Sequence, residues 1–321
     1  MIRPLGLAAL AVAALAACGG EAPTPAAPHR AVAERPAGTI VYVSGSNRLT
    51  SIDVASGRRR VRTMPAVAQC GPQLHVTGGH VVFAGLQRGR TTVFAVPLAL
   101  DRRPVRLGAA HAYVPSATDG RVWLAGVDCD RPALTGVREV TVGGRVTAES
   151  SRRVPGTWLE AATRDGLVIL RGRALHVWDP RTGRTIRRLG LAAVTESRGD
   201  LLVGCTARCR QLAIVSGRGT VVAKRRLDAG TALSPAATLV AAPALRGRRW
   251  TVAMVDTRTG AATTVPGTRS GTYPQLAWAR SSGWLFIRGR GGRVLAYRPG
   301  QPRAVRLPLR LPREAADFTA G

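Results

Sequence analysis

The sequence predicts an all-β fold, a seven-bladed β-propeller, on three observations. Short apolar runs recur at steps of about 40 residues. The turn Asp-x-x-Ser/Thr-Gly occurs three times at multiples of nearly the same step. The last residues of the chain resemble a segment that elsewhere precedes each apolar run.

The unit is clearest in Leu167–Leu189. Leu167–Leu170 is four aliphatics, short enough for a buried strand, and Gly172-Arg173 breaks it as a hairpin does. Ala174–Trp178 is a second apolar strand. Asp179-Pro180-Arg181-Thr182-Gly183 turns the chain: Pro180 presets φ, Asp179 bonds the backbone ahead of it, and Gly183 accepts a positive φ. Arg184–Leu189 is a basic, half-polar strand suited to an outer edge. The same turn stands at Asp53–Gly57 and Asp256–Gly260. The first apolar strand of each unit begins near Ile40, Val81, Val122, Leu167, Leu201, Leu239 and Trp284. Such a period of short strands marks four-stranded blades, which bury both faces only when stacked around a ring.

One further short segment precedes most units and is read as the inner strand: Tyr113–Asp119, Trp158–Arg164 and Tyr273–Ala279 are examples. The first unit lacks one. Ala316–Gly321 resembles Ser116–Gly120, so the C-terminal segment is expected to supply it and to close the ring at seven blades rather than six or eight. The turn and strand pattern over about residues 38–321 resembles the WD40, YVTN-type and quinoprotein-type propeller families. The WD40 Gly-His and terminal Trp-Asp pairs do not repeat, and the closing Trp of the quinoprotein repeat is absent, so no cofactor is implied.

Residues 1–17 read as a leader. Arg3 supplies a positive start, and Leu5–Ala17 is an apolar stretch too short to span a bilayer comfortably. Leu15-Ala16-Ala17-Cys18 resembles the bacterial lipoprotein box. The resemblance implies cleavage before Cys18, lipid on its sulfur, and anchoring of an exported protein to the outer face of the cell membrane. Residues 18–37, with Pro23, Pro25, Pro28 and Pro36, read as a semi-extended tether, leaving residues 38–321 for the propeller.

The formal net charge is +29, and loss of Arg3 with the leader lowers it by one, to +28. Lys224 is the only lysine. Arginine bias with abundant Ala, Gly and Val also fits a GC-rich genome such as an actinobacterium's. The imbalance predicts attraction to anionic partners, with an envelope polymer or a protein as the expected partner. Basic pairs in outer strands also discourage edge-to-edge association, which suits a monomer. There is no recognition helix, RNP-like motif or finger spacing, so no nucleic-acid role is expected.

Apart from Cys18 there are four cysteines: Cys70, Cys129, Cys205 and Cys209. An even number in an exported domain points to two disulfides. Cys205–Cys209 would cap a hairpin of blade 5. Cys70 and Cys129 fall on connections of one face in neighbouring blades, so they form a natural second pair, with the other pairings left open. Cys-x3-Cys is not a common zinc spacing, and no metal site is expected.

The expected ligand face, formed by connections between blades and by the hairpins between second and third strands, carries His111, Tyr113, Asp128, Asp130, Trp158 and Tyr273. The three aromatics equally suit seams between blades. Glu160 and Glu196, on neighbouring inner strands, are the one carboxylate pair that could serve a channel-sited hydrolase or lyase acting on an envelope polysaccharide. A salt bridge to arginine is the competing role. With no nucleophile elbow and no phosphate loop, the expected function is non-enzymatic binding; solute capture in the channel is a third possibility.

Overall fold

A computed structural model describes residues 34–321 apart from Ser46, 66–73, Gly89, 128–132, Gly156, 207–208, Arg210, 217–218, 224–226, Ala229 and Ala316. Cys18, Cys70, Cys129, Asp128 and Asp130 therefore lie outside the described residues.

The chain forms seven antiparallel sheets arranged as propeller blades. The inner strands of blades 1 to 7 are Asp317–Ala320, His75–Thr77, Ala112–Pro115, Thr157–Ala162, Ala193–Arg198, Ala232–Leu233 and Gln275–Trp278. The second strands are Thr39–Ser44, His80–Gln87, Arg121–Val127, Leu167–Arg171, Leu201–Cys205, Leu239–Arg246 and Leu285–Arg288. Each begins within one residue of its apolar run. Blade 3 departs from the four-stranded plan, because Val154–Pro155 adds a short fifth strand beside Ala133–Thr141.

The middles of those second strands are apolar because both their faces are buried. Side chains alternate across a strand. In blade 1, Ile40 and Tyr42 enter the core shared with Trp284 and Phe286 of blade 7, whereas Val41 and Val43 enter the core shared with Val81 and Phe83 of blade 2. In blade 4, Leu167 and Ile169 face blade 3, and Val168 faces blade 5. Each of the seven seams holds its own cluster of this kind.

The outer strands change character. Arg59–Thr63 alternates exposed and half-buried residues, and Thr185–Arg188 and Val305–Arg310 are largely exposed. The three Asp-x-x-Ser/Thr-Gly turns join third to fourth strands as expected. Asp53 accepts from Ser56 N at 2.7 Å, Asp179 from Arg181 N at 2.8 Å and Asp256 from Thr259 N at 2.7 Å. Gly260, at φ +68°, also lies against the preceding blade, where a Cβ would come within 2.8 Å of Val222 O. The Cys205–Cys209 disulfide closes the turn between the second and third strands of blade 5.

Ring closure joins the two ends of the propeller. Asp317–Ala320 pairs antiparallel with Thr39–Ser44, in the register Ile40↔Ala320, Val41↔Thr319 and Tyr42↔Phe318. Thr39 N and Gly321 O, and Gly321 N and Thr39 O, exchange bonds at 2.9 Å. Deleting Asp317–Gly321 would leave the Thr39–Ser44 edge unpaired, a template for aggregation. The truncated protein is expected to melt at least 10 °C lower, since one kcal/mol is worth about 2–4 °C at this size, and to elute as oligomers on gel filtration. Unchanged melting would show that the pairing does not close the ring.

Candidate functional site

The inner strands of all seven blades line one central cavity of about 300 Å³. Its polar side chains include His75 of blade 2, Glu160 of blade 4, Thr195, Glu196, Ser197 and Arg198 of blade 5, Thr231 of blade 6, Arg280 of blade 7 and Thr319 of blade 1.

Glu160 and Glu196 come to matched places. Each is the fourth residue of a six-residue inner strand, beside a register shift: Leu159/Ala161 in one, Val194/Glu196 in the other. A bulge of this kind re-aims a side chain locally. Burial raises the carboxyl pKa of Glu160. It raises that of Glu196 to about 7, against the opposing pull of the positive charges on Arg198 and Arg280. Among the described residues, neither carboxylate has a hydrogen bond or an ion pair. The arginines that share the cavity are engaged elsewhere: Arg198 donates to Ser234 O at 2.9 Å, and Arg280 to Asp119 Oδ1 at 2.9 Å.

The Arg280–Asp119 bond crosses the ring. Arg280 follows the inner strand of blade 7 and Asp119 that of blade 3, so the bond ties non-adjacent blades at the channel mouth where inner strands turn into second strands. Asp119 also accepts from Gly78 N at 2.9 Å and Thr77 Oγ1 at 3.1 Å, and so draws in blade 2. Burial pushes the Asp119 carboxyl up, but the Gly78 bond, the Arg280 charge, the Thr77 hydroxyl and the Gly120 N–H together hold it below the ordinary carboxylate range. Gly78, at φ +52°, cannot be replaced cheaply, because its Cβ would meet Gly120 Cα at 2.5 Å.

His75, half-buried in the cavity wall, has its pKa lowered to about 4 by desolvation and then by the Arg280 charge, and is neutral at physiological pH. Its ring meets that of Tyr113 edge-on at 5.4 Å. Tyr113 is only 6% exposed, within the seam between blades 2 and 3. Trp158 packs against the seam between blades 3 and 4. These two aromatics are matched in place, opposite Leu124 and Leu170, but Tyr273 is not: it lies two residues ahead of Gln275, which stands opposite Arg288. Tyr273 is 40% exposed; it donates to Asp228 Oδ1 at 2.9 Å, accepts from Gly230 N at 3.1 Å, and contacts the Trp250 ring edge-on. His111 is exposed on the connection into blade 3. The expected face residues thus divide between seams and surface. Sequence reasoning missed His75, Asp119, Arg198 and Arg280, whose meeting depends on the ring. No cluster of three His, Cys, Asp or Glu suited to a metal occurs among the described residues.

A carboxyl that gains pKa on folding costs stability as pH rises. Glu196 ionises near 4.5 when unfolded and near 7 when folded, so its penalty sets in above 4.5 and is complete above 7. Glu196→Gln is expected to abolish that fall, leaving the variant more stable than the parent at pH 8 and similar at pH 4, as read from urea midpoints across pH. Parallel profiles for the two proteins would contradict the burial of a titrating Glu196.

No protein-family model and no curated protein matches the sequence. Among solved structures the chain is similar to AztD from Citrobacter koseri, at 10% identity, with 89% of this chain and 98% of that one covered and a TM-score of 0.46. It is also similar to TolB from Acinetobacter baumannii, at 13% identity, with 88% of this chain and 66% of that one covered and a TM-score of 0.48.

Proposed function

We propose that the chain is an exported lipoprotein, anchored through Cys18, whose propeller binds an anionic polymer of the cell envelope without transforming it. The observation that carries this reading is the state of the arginines. With 46 basic residues against 18 acids once Arg3 is lost with the leader, at least 28 cations have no acid of their own to pair with. Among the described residues, and leaving Arg298 aside, carboxylates lie within 4.0 Å of Arg60, Arg121, Arg164, Arg181, Arg187 and Arg280. Most of the others are exposed on outer strands and turns. Exposed unpaired guanidiniums are weakly hydrated and match carboxylate and phosphate geometry, so a polyanion gains from them directly.

The hydrolase or lyase reading has less support. Glu160 and Glu196 do share a cavity, but about 300 Å³ suits a small solute rather than a polymer, and the Arg280–Asp119 bond stands across one mouth. Solute capture remains the second reading, favoured by the unpaired carboxyls of the cavity.

Binding governed by exposed charge is screened by salt. The full-length protein is expected to co-sediment with purified envelope fractions at low ionic strength and to be released progressively between about 0.05 and 0.5 M salt. Cys18→Ser is expected to shift it from the membrane to the soluble exported fraction without altering that salt profile. Salt-resistant binding, or none at low salt, would contradict the polyanion reading; membrane retention of Cys18→Ser would contradict the anchor.

A further inference from the structure

One cleft concentrates the free charge. It lies on blade 7, on the face of the hairpins between second and third strands, and has a volume of about 900 Å³. Its wall carries Arg288, Arg290, Arg293, Arg310 and Arg313 with Tyr273 at the rim, and no acidic side chain lines it.

Two rigid pieces present these arginines. The first is the hairpin Gly289–Arg293, where Gly291 and Gly292 take φ of 66° and 72°. Gly292 is fixed there, because a Cβ would meet Leu311 O, the carbonyl of the second piece. That second piece is the connection from Arg310 to Ala315, which leads into the ring-closing strand. Leu311 N donates to Gly292 O at 2.8 Å, and Arg288 donates from below to Ala315 O at 2.6 Å, Pro312 O at 2.8 Å and Arg313 O at 3.2 Å. Arg288 is buried and its remaining acceptor is Gln275 Oε1 at 2.6 Å, so its charge is held by neutral oxygens and is not cancelled within the site. The charge of Glu314 acts on it without forming an ion pair. Above this floor, Arg290, Arg293, Arg310 and Arg313 are exposed.

Arg293 and Arg310 stand directly opposite each other on paired strands. Like charges in that place repel and destabilise a sheet. A fold spends stability on such a pair with no gain of its own, whereas a multiply charged anion seated between the two converts the repulsion into binding. The cleft offers four exposed guanidiniums over the buried charge of Arg288, and only Thr272, Tyr273 and Gln275 as other polar side chains, so it is equipped for dense negative charge rather than for sugar hydroxyls.

We propose that this cleft is the binding site for a linear run of phosphates, either a phosphodiester polymer or inorganic polyphosphate. The inference rests on the polyanion reading above and gives it a place and a ligand class. The test is fluorescence anisotropy of labelled inorganic polyphosphate with the full-length protein in detergent, repeated with a phosphodiester polymer and with a polyuronate as competitors.

Arg293→Gln/Arg310→Gln is expected to weaken binding at least about tenfold and to shallow the salt dependence by about 1.4 in log–log slope, the worth of two contacts. Its melting temperature should stay level or rise. Arg290→Gln, on the exposed turn, should weaken binding in the same direction and serves if the double variant folds poorly. Arg58→Gln/Arg59→Gln, on blade 1 and equally exposed, should change affinity less than twofold. Equal losses in the two double variants would overturn the cleft and leave a diffuse charged surface. No binding by the parent at low salt would overturn the cleft together with the polyanion reading. A polyuronate competing as well as the phosphodiester polymer would overturn the ligand class; competition by the phosphodiester polymer alone supports it.

Discussion

The structure depends on satisfying the backbone of one strand. Thr39–Ser44 is buried on both faces, and both its edges must be paired. Arg48–Asp53 fills one edge, and the other is filled by Asp317–Ala320, drawn from the opposite end of the chain. Every seam core follows from that closure, because a blade that buries both faces needs a neighbour on each side. Closure also fixes where chemistry can occur. Inner strands converge on a narrow axis that leaves only a small cavity, while charged outer strands and loops are sent to the surface.

The cavity and the surface carry opposite electrostatic problems. In the cavity, two carboxyls lack partners and burial favours their neutral forms, while the two arginines that could pair with them are committed to Ser234 O and Asp119. On the surface, guanidiniums lack partners and remain charged. The first arrangement lowers the cost of enclosing acids near the axis; the second leaves free energy that only an external anion can recover. By this contrast the proposed place of recognition is the loop face of blade 7 rather than the channel.

Much of this was legible in the sequence. The apolar runs, the Asp-x-x-Ser/Thr-Gly turns, the closing strand and the Cys205–Cys209 link are local features, and local chemistry places them. Glu160 and Glu196 could be paired in advance because they fall on the inner strands of neighbouring units. The Arg280–Asp119 bond could not, since it joins residues 161 apart across the ring. Tyr113 and Tyr273 show a second limit. Both stand at entries to blades, yet one is sealed in a seam and the other is exposed. Period-two alternation marks which residues share a face, not whether that face meets a neighbour or solvent. The cleft was hidden for a similar reason: its arginines come from a hairpin, a strand end and a connection, and only their packing against Gly292 and Leu311 brings them together.

The central claim is that recognition occurs at the arginine-bearing loops and not along the axis. Hydrogen–deuterium exchange of the full-length protein, with and without saturating envelope polymer, addresses it directly. The account predicts slowed exchange at Gly289–Arg293 and Arg310–Ala315, with the inner strands around Glu160 and Glu196 unchanged. Protection confined to those inner strands, or to the turns around Gly78 and Asp119, would contradict it.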